Sequence, residues 1–148
     1  YAIGSRDPEV AIDANTEEGK KLYVQGGTII AVGKLESGAS ITGGTAKQTT
    51  SWTAETWYAL YNGSELVAAF KTPTQSSSSG GPGGRPGGGS SQALVVYTSS
   101  TPTLTSGVTV SGGTEYFAGA ANIGGTVSGG SSVTLSTYTS SGGPGGRP

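Results

Sequence analysis

Four side chains with oxygen donors crowd the start of the chain: Asp7, Glu9, Asp13 and Asn15. Their near-alternating spacing lets carboxylate and amide oxygens converge at the edge of a strand, the donor set that a hard cation such as Ca²⁺ takes. The same residues also read as turn chemistry, Asp7 before Pro8 and Asn15 after Ala14, with side-chain oxygens satisfying nearby backbone N–H groups. Their spacing does not reproduce the Asp-rich calcium loop with its terminal Glu. A second cluster is aromatic: Trp52, Trp57, Tyr58 and Tyr61. Flat ring faces are the surfaces on which sugar rings stack, and these four are the candidate carbohydrate-binding residues. Strand alternation puts Trp57 and Tyr61 on one face and Tyr58 with Leu60 on the other, so one set is expected in the core.

Acid–base catalysis would fall to Glu55 and Glu65, which nothing in their spacing pairs or buries. The chain has no His and no Cys, which removes the commonest general base, thiolate metal ligands and any disulfide scaffold. No nucleophile-elbow phrase occurs among the many Ser and Thr residues. An enzyme is not expected.

The elements that hold these residues must be built from an unusual mixture. Of 148 residues 28 are Gly, apolar residues make up 32% and charged residues 11%, so large apolar clusters between helices are out of reach and order must come from backbone pairing of small repetitive strands. The net charge is −1, and no stretch concentrates Lys or Arg, so the footprint for nucleic acid is missing. No apolar run is long enough to span a bilayer, and nothing at Tyr1 resembles a signal peptide. The chain opens on Tyr rather than Met, as a processed or excised segment does.

A short phrase recurs four times: Gly26-Gly27-Thr28, Gly43-Gly44-Thr45, Gly112-Gly113-Thr114 and Gly124-Gly125-Thr126. In the clearer copies an alternating run (Leu22 and Val24; Val108 and Val110) precedes the Gly pair and a β-rich run follows it, which spells strand, sharp bend, strand. Stacked repeats of that kind predict an all-β chain, a right-handed parallel β-helix (β-solenoid) with coils over residues 1–48 and final coils over 93–139. Between them, 49–73 predicts an aromatic β-hairpin turning at Asn62-Gly63 and projecting from the stack or plugging its end. Residues 74–92 form a Ser-, Gly- and Pro-rich linker, and 140–148 a Gly- and Pro-rich tail that repeats the phrase of Ser79–Pro86.

The ordered combination of Asp7-Pro8-Glu9-Val10-Ala11-Ile12-Asp13-Ala14-Asn15, Gly19–Gly33 and the Trp57-Tyr58-Ala59-Leu60-Tyr61 strand resembles the C-terminal half of a bacterial secreted carbohydrate-binding family. Its members fold as right-handed parallel β-helices. The resemblance implies a calcium-containing, non-catalytic protein of the bacterial cell surface that binds polysaccharide of the pectin or cellulose type. The earlier coils of the family have no counterpart in this chain. An alternative function follows from the solenoid alone. Its N-terminal edge would be an uncovered strand, inviting another chain or a second copy into an extracellular fibre or surface assembly.

Overall fold

The computed structural model describes residues 1–3, 11–12, 19–33, 35, 38–74 and 93–138. Among them the chain is all-β, with fifteen short strands: β1 (Ala2–Ile3), β2 (Tyr23–Val24), β3 (Ile29–Val32), β4 (Ser40–Ile41), β5 (Thr45–Thr49), β6 (Trp57–Asn62), β7 (Glu65–Lys71), β8 (Leu94–Thr98), β9 (Pro102–Ser106), β10 (Thr109–Ser111), β11 (Thr114–Tyr116), β12 (Ala121–Ile123), β13 (Thr126–Ser128), β14 (Ser131–Val133) and β15 (Ser136–Thr137). A five-stranded sheet runs β1-β3-β8-β5-β15, and a six-stranded sheet runs β11-β12-β7-β6-β9-β14. Two small ribbons, β2-β4 and β10-β13, complete the set.

The two large sheets pack face to face. Ile30, Val32, Leu94 and Val96 of the five-stranded sheet share one buried cluster with Tyr58, Leu60, Phe70 and Leu104 of the six-stranded sheet, and Trp52 joins them from the segment before β6. The other face of the five-stranded sheet is covered too. Ala31, Ala46, Val95 and Tyr97 pack there with Val24 of β2, Leu35 and Tyr138. Strand β8 is therefore buried along its whole length. Its sequence demands this: Ala93-Leu94-Val95-Val96-Tyr97 is a continuous apolar run, and only a central strand covered on both faces can bury every member.

That demand displaces the expected solenoid. The first two Gly-Gly-Thr phrases stand 17 residues apart, and β2 pairs with β4 in parallel at the same offset, Tyr23 with Ser40 and Val24 with Ile41. Beyond the Gly pairs the two copies separate. β8 enters between them, antiparallel to both, so that Ile29 and Ala46 flank Tyr97 from either side. A solenoid wall buries only one face of each strand, which would leave half of β8 in water. Of the eleven strand pairings described, nine are antiparallel; only β1–β3 and β2–β4 are parallel. No sheet forms a coil. Residues 93–138 do not add coils to a stack either, but supply the middle of one sheet and four strands of the other.

The aromatic hairpin forms as β6 and β7, with Gly63 and Ser64 as the two turn residues and a bulge beside Leu60 and Tyr61. Gly63 has φ 67° and no neighbour within 4 Å of a Cβ, as expected of a turn opened by glycine. Contrary to expectation, the hairpin neither projects nor plugs an end. It is the centre of the six-stranded sheet, flanked by β12 and β9, because Tyr58, Leu60 and Phe70 on its inner face are its largest apolar surface.

The Gly pairs do make corners, as sheet switches. Gly112-Gly113 carries the chain from β10 to β11, and Gly124-Gly125 from β12 to β13. Pair positions sum to the same register on both sides of the bend, Ser111 with Thr126 and Thr114 with Ile123, so β10–β11 and β12–β13 are one long hairpin folded across four opposed glycines. The fold is held by Asn122, which is buried and donates from Nδ2 to the Gly112 carbonyl at 2.8 Å.

Candidate functional site

Trp52 and Tyr58 lie in the core. Tyr58 stacks on Phe70 with ring centroids 5.6 Å apart, and its hydroxyl accepts from the Thr53 backbone N–H at 2.8 Å. Neither ring face is open to a sugar. Trp57 and Tyr61 occupy the opposite face of β6 and are half-buried. Of the four aromatic candidates, then, the structure puts two inside and leaves two partly accessible, separated by Ala59. The four metal candidates Asp7, Glu9, Asp13 and Asn15 lie outside the described residues, as do the linker and the tail. Among the described residues no three His, Cys, Asp or Glu side chains gather.

Glu55 precedes β6, and Glu65 pairs with Asn62 at the far end of the hairpin. The strand between them is about 16 Å long. Paired catalytic carboxylates stand about 5–10 Å apart, so these two do not form such a pair.

The exposed aromatic surface is elsewhere, at the open flank of the sandwich. On one flank the chain passes from β14 to β15, from one sheet to the other, and Val133 and Leu135 pack against the core there. At the other flank the five-stranded sheet ends at β1. The Tyr1 ring lies against Phe70 of β7 at 5.4 Å, and its hydroxyl donates to the Lys71 carbonyl at 2.6 Å. Burial pushes the Tyr1 phenol up to about 12, so it stays neutral and a donor across the ordinary pH range. β1 thus stands over β7, while β12 and β11 continue beyond it in the six-stranded sheet.

Register shows which side chains of these strands take the inner face. Ala121 pairs with Phe70 and so shares the inner face; Ile123, Tyr116 and Thr114 alternate onto the same face. Ile3 pairs with Val32 and faces inward from the opposite sheet. Ile3 is 48% exposed, Tyr116 47%, Ile123 50% and Phe117, in the loop joining β11 to β12, 61%. Four of the five large apolar side chains exposed among the described residues therefore sit on this one flank; the fifth is Tyr23 on β2. The side chains of Glu115 and Lys71 take the outer face, opposite Asn122 and Trp57 respectively.

Phe117 is held out at a cost. It and Ala118 have φ values of 56° and 55°, left-handed conformations that a Cβ disfavours. The loop is closed by Gly119 N–H to the Tyr116 carbonyl and Ala120 N–H to the Phe117 carbonyl, both 3.1 Å. The Phe117 ring meets Tyr1 edge to face, with centroids 5.9 Å apart and planes at 89°. Tyr116 and Phe117 fall within 93–139, the span expected to form final coils, and nothing in that expectation set them apart. The available signal was the run Ala118-Gly119-Ala120-Ala121 directly after them, too small to pack over two aromatics.

Compared with known proteins, the chain matches no family model, no curated protein and no solved structure.

Proposed function

We propose that this chain is a non-catalytic polysaccharide-binding module of the bacterial cell exterior, and that Tyr116 and Phe117 form its sugar platform. The observation that carries the reading is Phe117. A phenylalanine in the core gains about 1.5–3 kcal/mol from burial, whereas this one is mostly in water and sits in a backbone conformation that costs about 1–2 kcal/mol. Its edge-to-face contact with Tyr1 leaves most of the ring in solvent, where it is available to a ligand outside the chain.

The surroundings support a glycan. From Thr72 to the end of the sequence the only charged side chains are Arg85, Glu115 and Arg147, leaving hydroxyls, backbone and rings to make contacts. The resemblance of the N-terminal phrases to secreted carbohydrate-binding proteins points the same way. Calcium at Asp7, Glu9, Asp13 and Asn15 belongs to the proposal as a dependency on that resemblance.

Affinity electrophoresis through gels containing cellulose- and pectin-type polysaccharides, with and without chelator, tests it. Retardation by at least one polysaccharide is expected, with Phe117→Ala and Tyr116→Ala each weakening binding at least about fivefold, as loss of a central contact worth about 1 kcal/mol does. Free migration through every gel removes the proposal. A second reading, a subunit of an extracellular assembly, is favoured by Ile3 and Ile123, aliphatic side chains exposed beside the two rings. Sedimentation at increasing concentration decides it, a fixed monomer counting against.

A further inference from the structure

Asn62 ends β6 and Gly63 opens the turn into β7. That dipeptide carries chemistry as well as a bend. The backbone nitrogen after an asparagine is a nucleophile one ring closure away from the side-chain amide carbon, and glycine, with no Cβ, lets it approach. In the folded chain the approach is blocked by three hydrogen bonds, all to one short segment, Ser99–Thr101. Asn62 Nδ2 donates to Ser99 Oγ at 3.2 Å, Asn62 Oδ1 accepts from the Ser100 N–H at 2.9 Å, and the Gly63 N–H donates to the Thr101 carbonyl at 2.8 Å. The amide is thereby held toward the connection between β8 and β9, while pairing with Glu65 and Pro102 keeps the Asn62 backbone extended. Closing a five-membered ring needs the reverse, a rotation about the Asn62 Cα–C bond that brings the Gly63 nitrogen onto Cγ.

We infer that Asn62 is a latent self-modification site, locked in the folded chain by Ser99–Thr101 and released when that end of the β6–β7 hairpin opens. On release the Gly63 nitrogen gives up its proton and bonds to Asn62 Cγ, and the side-chain nitrogen departs as ammonia, leaving a succinimide across positions 62 and 63. Water then opens the ring at either carbonyl. One product is an ordinary aspartyl residue; in the other the main chain runs through the side chain and is one methylene longer. Both place a carboxylate across the turn from Glu65, a like-charge pair, and neither keeps an amide nitrogen to donate to Ser99. The longer product also carries the Gly63 N–H out of line with the Thr101 carbonyl. Reclosure therefore costs more after the reaction than before it, and the change runs one way. Ser99, Ser100, Thr101 and Gly63 are all exposed, so this end opens without disturbing either core.

The test follows conversion at position 62 in the full chain, folded and in urea, by peptide mapping with β-aspartyl detection in mildly alkaline buffer. The folded chain should convert at least about tenfold more slowly than the unfolded one, since only the opened fraction reacts. Ser99→Ala removes one acceptor, and Ser100→Pro removes the N–H that Asn62 accepts. Each should speed conversion of the folded chain about threefold, as loss of one hydrogen bond does, and leave the rate in urea unchanged. Gly112→Ala lowers stability away from this turn, so it should leave the folded rate where it was. Equal rates folded and in urea overturn the lock, and so does a wild-type rate in both loop variants. Acceleration by Gly112→Ala as large as that of the loop variants means release by global unfolding, and overturns the local opening. No arm involves a polysaccharide, so the polysaccharide reading stands or falls separately.

Discussion

At the scale of single residues, burial and backbone conformation sort the aromatics into two groups that composition treats alike. Tyr58, Trp52 and Phe70 are interior because β6 and β7 are central strands and their inner faces meet another sheet. Phe117 is exterior because its loop lies past the edge of that sheet. Alternation along β6 was readable in the sequence: Tyr58 and Leu60 do share a face, and Trp57 and Tyr61 share the other. Which face meets the core depends on β3 and β8, strands distant in the chain on either side of the hairpin, and no local pattern encodes that. The strain in the Phe117 loop makes a separate prediction. Ala118→Gly keeps the ring in place and relieves one left-handed residue, so the chain should gain about 0.5–1 kcal/mol in urea unfolding with polysaccharide affinity unchanged. A loss of stability would mean that Ala118 is not strained.

Elements show what repetition meant. The Gly-Gly-Thr phrases do mark the bends between strands, because a ribbon can change sheets only where neighbouring backbones approach closely and φ can turn positive. Two kinds of demand are separable at the four-glycine corner. Gly112 has φ 71° with open space around it, whereas a Cβ on Gly113, at φ 77°, would run into Asn122 Oδ1 and the Gly125 backbone. Gly112→Ala should therefore cost about 1 kcal/mol from conformation alone, and Gly113→Ala about 2–4 kcal/mol once the clash is added. Equal costs, measured by thermal or urea unfolding, would refute a packed corner. Gly43-Gly44 plays a related part. Its bend crosses Tyr97, whose hydroxyl donates to the Thr42 carbonyl, and a Cβ on Gly44 would meet the Tyr97 ring. The corner fits only glycine because β8 lies beneath it.

For the molecule as a whole, β8 decides the architecture. It separates two parallel repeat units, carries apolar side chains to both cores and joins β3 to β5. Its amides should exchange most slowly with solvent, while those of β11 and β12 exchange early, since that ribbon has one covered edge and an open face. Native-state hydrogen exchange checks this, and faster exchange in β8 than in β6 and β7 would argue against its central place. The same asymmetry explains the open flank. One side of the sandwich is crossed by the chain between β14 and β15, whereas at the other the five-stranded sheet has β1 as its edge strand, with Tyr1 packed on Phe70.

The sequence by itself determined the all-β character, the hairpin of β6 and β7, the places where the chain bends and the sparsity of charged side chains. Each of these follows from short-range rules: alternation, glycine at corners and side-chain type. Sheet partners, parallel or antiparallel sense, the covered faces and the exposure of Tyr116 and Phe117 were decided only in three dimensions. Backbone hydrogen bonds are the same for every strand, so the choice among partners falls to the burial of side chains far apart in the chain, and here to the five consecutive apolar residues from Ala93 to Tyr97.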